Sequence, residues 1–167
     1  MILRKKKICS VCLNPEFLFS GGKCKRCWDI TRSKPINSVN DQDLSGLIDD
    51  ADAIFSKYIR MNAADDDGGA ICFTCDAWMR WQAMQAGHFV SRGCYLLRWD
   101  IRNVKVQCHT CNVGKRGNLG EFAKRLELES PGLSTMLMDE ARIIYSPSRD
   151  EIKAIIVEYS NKFKWLK

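Results

Sequence analysis

Eight of the nine cysteines fall into four Cys-x2-Cys pairs, Cys9/Cys12, Cys24/Cys27, Cys72/Cys75 and Cys108/Cys111, and Cys94 stands alone. Two such pairs supply the four thiolates of a tetrahedral zinc site. A single pair beside a βαβ strand would suit redox chemistry, but four pairs with no such strand point to metal. The last two pairs enclose 32 residues that contain His88 and Asn103, and Asn112 follows Cys111 directly. An imidazole titrating at about pH 6.5 is suited to deprotonating water at neutrality. An amide oxygen is a hard ligand of the kind Mg²⁺ or Mn²⁺ takes, and such a cation stabilises charge on a phosphorane and a departing 3′-oxygen. Together these residue types suit phosphodiester hydrolysis. His88 is the candidate base, Asn112 a candidate cation ligand with His88 beside it, and Asn103 a tie that aims the histidine.

These side chains need a scaffold. "MQAGHFV" and "NVKVQC" read as two short strands joined by the turn-rich, basic "SRGCYLLRWDIR". "NVGKRGNLGEFAKRL" then reads as a helix beginning beside the cysteine pair. His88 ends the first strand, Asn103 opens the second, and Asn112 starts the helix. Strand, loop, strand and helix pinned by zinc is the layout of a ββα-metal finger. Before it, Leu44, Leu47, Ile48, Ala51, Phe55, Tyr58 and Ile59 mark one face of a helix over about 43–62, with Asp49, Asp50 and Asp52 on the other. "DDDGG" closes it as a charged turn. After it, Leu119–Leu126 and Leu133–Ala141 give two amphipathic runs separated by "SPGLS". A last helix follows "SPSRDEIKAIIVEY", with Ser148 and Glu151 in capping-box spacing.

The central pattern resembles the HNH nuclease motif in an H-N-N form, carried by "NVKVQCHTCNVGK" and His88. His109, inside "CHTC", reads as an exposed residue near DNA, because the four-thiolate set is complete without it. Many HNH sites place an acidic metal ligand directly before the first histidine; here that residue is Gly87, with Gln85 two positions further back. The cation would then rest on Asn112, with His88 or Asn118 as further candidates, and on DNA phosphates.

Residues 1–34 read as a separate four-cysteine, zinc-ribbon-like module, with eleven residues between Cys12 and Cys24. So short a loop holds no core, and the metal supplies its folding energy. Residues 35–42 read as a Ser/Asn/Pro-rich linker, and 43–167 as the HNH-like domain with its flanking helices. The fold class is thus small, zinc-stabilised α+β with two structural zinc ions. The net charge of +6 is uneven: +7 over 1–34, −6 over 35–67, +6 over 68–125 and −1 over 126–167. The two cysteine-rich segments are the basic ones, which suggests a polyanionic partner. Arg92, Arg102, Lys105, Lys115 and Arg116 are the candidate DNA contacts, and Trp78 and Trp81 could stack on an unpaired base. No apolar run reaches membrane-spanning length, and the basic start lacks the apolar region of a secretory signal, so a cytoplasmic protein is expected.

"FSKYIR", "CFTC", "AGHFVSRG", "LRWDIRNVKVQCHTCNVGKRGNL" and "IKAIIVEY" resemble the NinG (Rap) family of lambda-like bacteriophage recombination proteins, over roughly residues 43–165. The resemblance implies a structure-specific endonuclease that cuts D-loops and Holliday junctions in the bacterial host cytoplasm. It carries His88, Asn103 and Asn112 over as the catalytic motif and Cys72, Cys75, Cys108 and Cys111 as the zinc frame. Cutting both strands of a symmetric junction suits a two-fold dimer. Two other readings stay open: a non-catalytic double zinc-finger DNA binder, and an HNH nicking enzyme for duplex DNA.

Overall fold

A computed structural model describes residues 43–163 throughout, and of the first 42 only the backbone of four short strands. The chain divides into two units, 1–42 and 43–167. In the first, β1 (Lys7–Ile8) pairs antiparallel with β2 (Pro15–Glu16), and β3 (Leu18–Ser20) with β4 (Lys23–Cys24). Cys9, Cys12, Cys27 and the side chain of Cys24, expected to hold one zinc, lie outside the described residues.

The second unit is α+β with short two-stranded sheets. Helix α1 (Leu44–Asn62) starts at Asp43, whose carboxylate accepts from the Gly46 amide at 2.7 Å. Leu47, Ala51, Phe55 and Ile59 recur every four residues and are buried, whereas Leu44 stays exposed. They face the last helix, α4 (Arg149–Phe163), which buries Ile152, Ile156 and Tyr159. Phe55 meets Tyr159 edge-on at 4.8 Å. The expected capping box forms: the Ser148 amide donates to Glu151 at 2.7 Å, and the Glu151 amide to Ser148 Oγ at 3.3 Å. No helix among the described residues is long and apolar enough to cross a membrane.

Two hairpins follow α1. β5 (Gly69–Ile71) pairs with β6 (Trp78–Arg80), a sheet that sequence patterning did not reveal because its strands are three residues long and β6 is exposed throughout. β7 (Gln85–His88) pairs with β8 (Val104–Gln107), so that Gly87 faces Lys105 and His88 faces Val104 across the ladder. The helix expected directly after Cys111 does not form there. Thr110–Gly114 makes one wide π turn, Arg116, Gly117 and Asn118 take left-handed φ of 51°, 88° and 49°, and α2 (Leu119–Glu129) starts only then. Left-handed residues cannot continue a right-handed helix, and the turn instead brings Cys111 round to the other thiols. α3 (Leu133–Glu140) is linked to α2 through the Glu127 carboxylate, which accepts from the Gly132 and Ser134 amides at 2.6 and 2.9 Å.

Among the described residues of this region, two apolar clusters form. One gathers Ala70, Cys72, Met84, Val106, Cys108 and Cys111, with Trp81 against it. The other gathers Leu97, Phe122, Leu126, Leu133 and Leu137, with Phe73, Phe89 and Cys94 against it. Cys94 therefore packs as a small apolar side chain.

Candidate metal centre and cleft

Cys72 and Cys75 lie in the turn between β5 and β6, Cys108 directly follows β8, and Cys111 lies in the wide turn after it. Their four sulfurs lie within 4.8 Å of one another. Cys75 Sγ and Cys108 Sγ are 3.7 Å apart. A tetrahedron with metal–sulfur bonds of about 2.3 Å has edges of about 3.8 Å, so the cluster could hold a metal ion such as zinc. Burial disfavours the Cys72 thiolate, but the Cys108 and Thr74 backbones, the Thr74 hydroxyl and the Cys75 thiol outweigh it and bring Cys72 down to about 6. The Ala77 backbone favours the Cys75 thiolate, yet burial and the three neighbouring thiols push Cys75 up to about 12. Crowded thiols competing for protons are what a cation would relieve. His109 is exposed and outside the cluster, as expected.

A cleft of about 750 Å³ opens beside this centre, lined by His88, Asn112, Gln85, Arg60, Arg92 and Arg116 among others. His88 is half-buried, and its Nε2 lies 3.0 Å from the carbonyl oxygen of Arg98. A carbonyl only accepts, so the contact is a hydrogen bond in the form that carries the proton on Nε2, and a neutral ring then has its lone pair on Nδ1. Burial lowers the His88 pKa below 6.5; the Arg92 charge adds to this, while the Arg98 and Ala86 carbonyls and Asp52 oppose it. Asn112 donates its amide nitrogen to Gln85 Oε1 at 2.8 Å, which leaves Asn112 Oδ1 as the acceptor. Asn103 is fully buried. Its amide accepts from the Val90 N–H at 2.7 Å and donates to the carbonyls of Val90 and Leu97 at 3.0 and 2.9 Å. It ties the loop between β7 and β8 from inside and does not line the cleft.

The other site candidates divide. Arg92 and Arg116 line the cleft, and Lys115 is exposed next to Arg116. Arg102 instead pairs with Asp100 at 2.6 Å and Glu140 at 2.9 Å, and Lys105 pairs with Glu129 at 2.6 Å. Neither lines the cleft, because acids on the same loop and on α2 and α3 reach them first. Asn118 turns away as well, donating to the Thr74 carbonyl at 3.4 Å. Trp78 is 52% exposed, while Trp81 packs on the thiol cluster with the Arg60 guanidinium 5.6 Å over its ring.

Gly87 has a steric cause. A β-carbon there would lie 2.0 Å from Gln107 Oε1. Gln107 is fully buried and donates to Thr74 Oγ1 at 2.9 Å and the Gly117 carbonyl at 2.8 Å. The place an acidic side chain would leave from is filled.

Three residues have roles that the sequence reading did not assign. Arg60 joins the cleft from α1, and Gln85 holds Asn112. Asp52, expected on the solvent face, binds the Arg98 guanidinium at 2.9 and 2.7 Å and the Trp99 indole N–H at 2.9 Å. Its position three residues before Phe55 sets it only about 60° from that buried residue around the helix, and this was the available signal.

The family model described as "Bacteriophage Lambda NinG protein" matches residues 23–167. A relative from Salmonella phage P22, "Protein ninG", is 34% identical over 100 residues, which are 58% of this chain and 47% of the relative. The match thus spans under half of that relative's length. No solved structure matches. With the family match running through both cysteine pairs of the candidate metal centre, His88 and the terminal helix, the chain belongs to the NinG family of bacteriophage proteins.

Proposed function

We propose that this chain is a ββα-metal endonuclease of phage recombination that hydrolyses phosphodiester bonds in branched DNA, with His88 as general base. The observation that carries the reading is the contact of His88 Nε2 with the Arg98 carbonyl at 3.0 Å. With Nε2–H held by the Arg98 carbonyl, Nδ1 is the one nitrogen available to take a proton, on a residue that lines a cleft with three arginines. In this reading water gives a proton to Nδ1 and its oxygen attacks phosphorus. The P–O3′ bond breaks, the leaving oxygen takes a proton from solvent, and His88 returns its own to solvent. Arg60, Arg92 and Arg116 hold the phosphates. The thiol centre, filled by zinc, fixes the end of β8 and the turn that carries Asn112.

Since Nε2 is occupied and Nδ1 is the base, His88 has no nitrogen left for a cation. Asn112 Oδ1 is the protein oxygen offered to Mg²⁺ or Mn²⁺, the rest of the shell being water and DNA phosphates. Such a cation would supply charge stabilisation at the phosphorane. No carboxylate lines the cleft among the described residues. That observation favours the second reading, a zinc-finger DNA-binding protein without catalysis.

The test uses a four-way junction, a D-loop, a single strand and a linear duplex. Each is incubated with Mg²⁺, Mn²⁺ or EDTA and with wild type or His88→Ala. Cation-dependent cutting of the branched substrates that disappears in the variant is the expected result. Tight junction binding with no cutting under any cation would establish the binder instead.

A further inference from the structure

The basic loop between β7 and β8 carries no regular secondary structure beyond turns, yet it supplies the carbonyl that orients His88. Its shape is held from two sides. Asn103 ties it from within through Val90 and Leu97. From outside, a single carboxylate on α1 holds three groups of the loop. Asp52 takes the Arg98 guanidinium through both oxygens, at 2.9 and 2.7 Å, and the Trp99 indole at 2.9 Å, and lies 3.7 Å from Arg92 Nη1. Arg98 also donates to the Arg92 carbonyl at 3.0 Å, closing the loop on itself. The Arg98 and Asp52 side chains are 15% and 20% exposed, so solvent screens this pair less than a surface pair. Two parallel hydrogen bonds to a planar guanidinium also fix orientation, which a single contact does not.

From this geometry we infer that Asp52 and Arg98 are a positioning pair: Asp52 sets the Arg98 backbone, and the Arg98 carbonyl sets the ring orientation and tautomer of His88. The chain of contacts runs Asp52 carboxylate, Arg98 guanidinium, Arg98 carbonyl, His88 Nε2–H. Neither residue touches the scissile phosphate in this scheme. The charged groups around His88 are Arg92 and Arg98 from the loop, Asp52 from α1, and Arg60 and Arg116 across the cleft. Asp52, the acid whose charge acts on His88, is thus committed to holding the loop. That use of an acid one step removed from the imidazole parallels the partners that orient metal-ligating histidines, whose loss costs about 10- to 100-fold in metal affinity or activity. As a catalytic claim it rests on the reading of His88 as the base; as a structural claim it does not.

The experiment separates the two. The probes are the full-length chain with its metal, a four-way junction, and ¹⁵N spectra of the histidine rings. Asp52→Asn keeps the shape of the side chain and removes its charge. Arg98→Lys keeps the charge and the backbone carbonyl but gives up the two-pronged contact. Metal content and junction affinity report whether each variant is folded. Expected in wild type is one His88 tautomer, protonated at Nε2. Expected in both variants is a mixture of tautomers, a fall in kcat of about 10- to 100-fold, and junction affinity little changed. Asp52→Glu, which can still grip Arg98, should recover part of the loss. Variants that stay folded with the wild-type tautomer and wild-type kcat would overturn the positioning pair. A tautomer change in a protein that cuts nothing would keep the pair and remove the nuclease reading. Should Asp52→Asn fail to fold, Arg98→Lys with an unaltered tautomer would still overturn the pair.

Discussion

Replacing Gly87 by alanine isolates the steric reason for the missing acid before His88. The new β-carbon would sit 2.0 Å from Gln107 Oε1, 2.7 Å from Cδ and 2.9 Å from Cγ, so Gln107 has to move. Gln107 is fully buried and pinned by its two donations, to Thr74 Oγ1 and the Gly117 carbonyl. Breaking both costs about 1 kcal/mol each, and stranding the buried Gly117 carbonyl about 1–3 kcal/mol more, some 4 kcal/mol in all. For a unit of this size that is a fall in melting temperature of roughly 15 °C. Thermal unfolding followed by circular dichroism measures it. Gln107→Ala should itself destabilise through the lost hydrogen bonds, and Gly87→Ala added to it should cost almost nothing, since the space is then open. The double-mutant cycle should therefore show a coupling of about 3 kcal/mol, beyond what independent sites give. A Gly87→Ala protein within about 0.5 kcal/mol of wild type, or simple additivity in the cycle, would refute the packing of Gln107 on Gly87. Its confirmation would mean that an Asp cannot be grafted at position 87 to supply a cation ligand unless Gln107 is shortened as well.

Other expectations follow from the same contacts. Asn103→Ala should lower stability by about 3 kcal/mol, since it removes the three hydrogen bonds of a buried side chain at about 1 kcal/mol each; a urea melt checks this. Cys108→Ser should lose bound metal and unfold residues 43–163 locally, read by metal analysis and hydrogen exchange, because the ion supplies folding energy. Arg92→Ala should weaken junction binding and flatten its salt dependence, whereas Arg102→Ala should leave binding unchanged, because Arg102 is already paired with Asp100 and Glu140. Burial lowers the His88 pKa below 6.5, so its neutral, base-competent form persists into mildly acidic solution. The acid limb of single-turnover cutting should therefore lie below the range of an ordinary histidine, and a limb above it would contradict the half-buried setting.

Sequence alone determined what short-range patterns encode. Cys-x2-Cys spacing marked the four thiols that gather in one cluster, because two thiols separated by two residues can share one ion. Four-residue recurrence from Leu47 to Ile59 set α1, and Ser148 with Glu151 set the start of α4, because helix periodicity and caps are local. His88 and Asn112 were singled out by type and neighbourhood, and both line one cleft. The tertiary structure decided everything that depends on residues far apart in the chain. It moved Arg102 and Lys105 off the cleft by pairing them with Glu140 and Glu129 on other elements. It replaced the expected helix after Cys111 with a wide turn and a left-handed stretch. It gave Gly87 a cause in Gln107 across the sheet, and took Asp52 from a solvent face to the Arg98 guanidinium, 46 residues away. Periodicity and spacing report only a residue's own element; which charge meets which, and which side chain fills a space, is fixed when separate elements pack together.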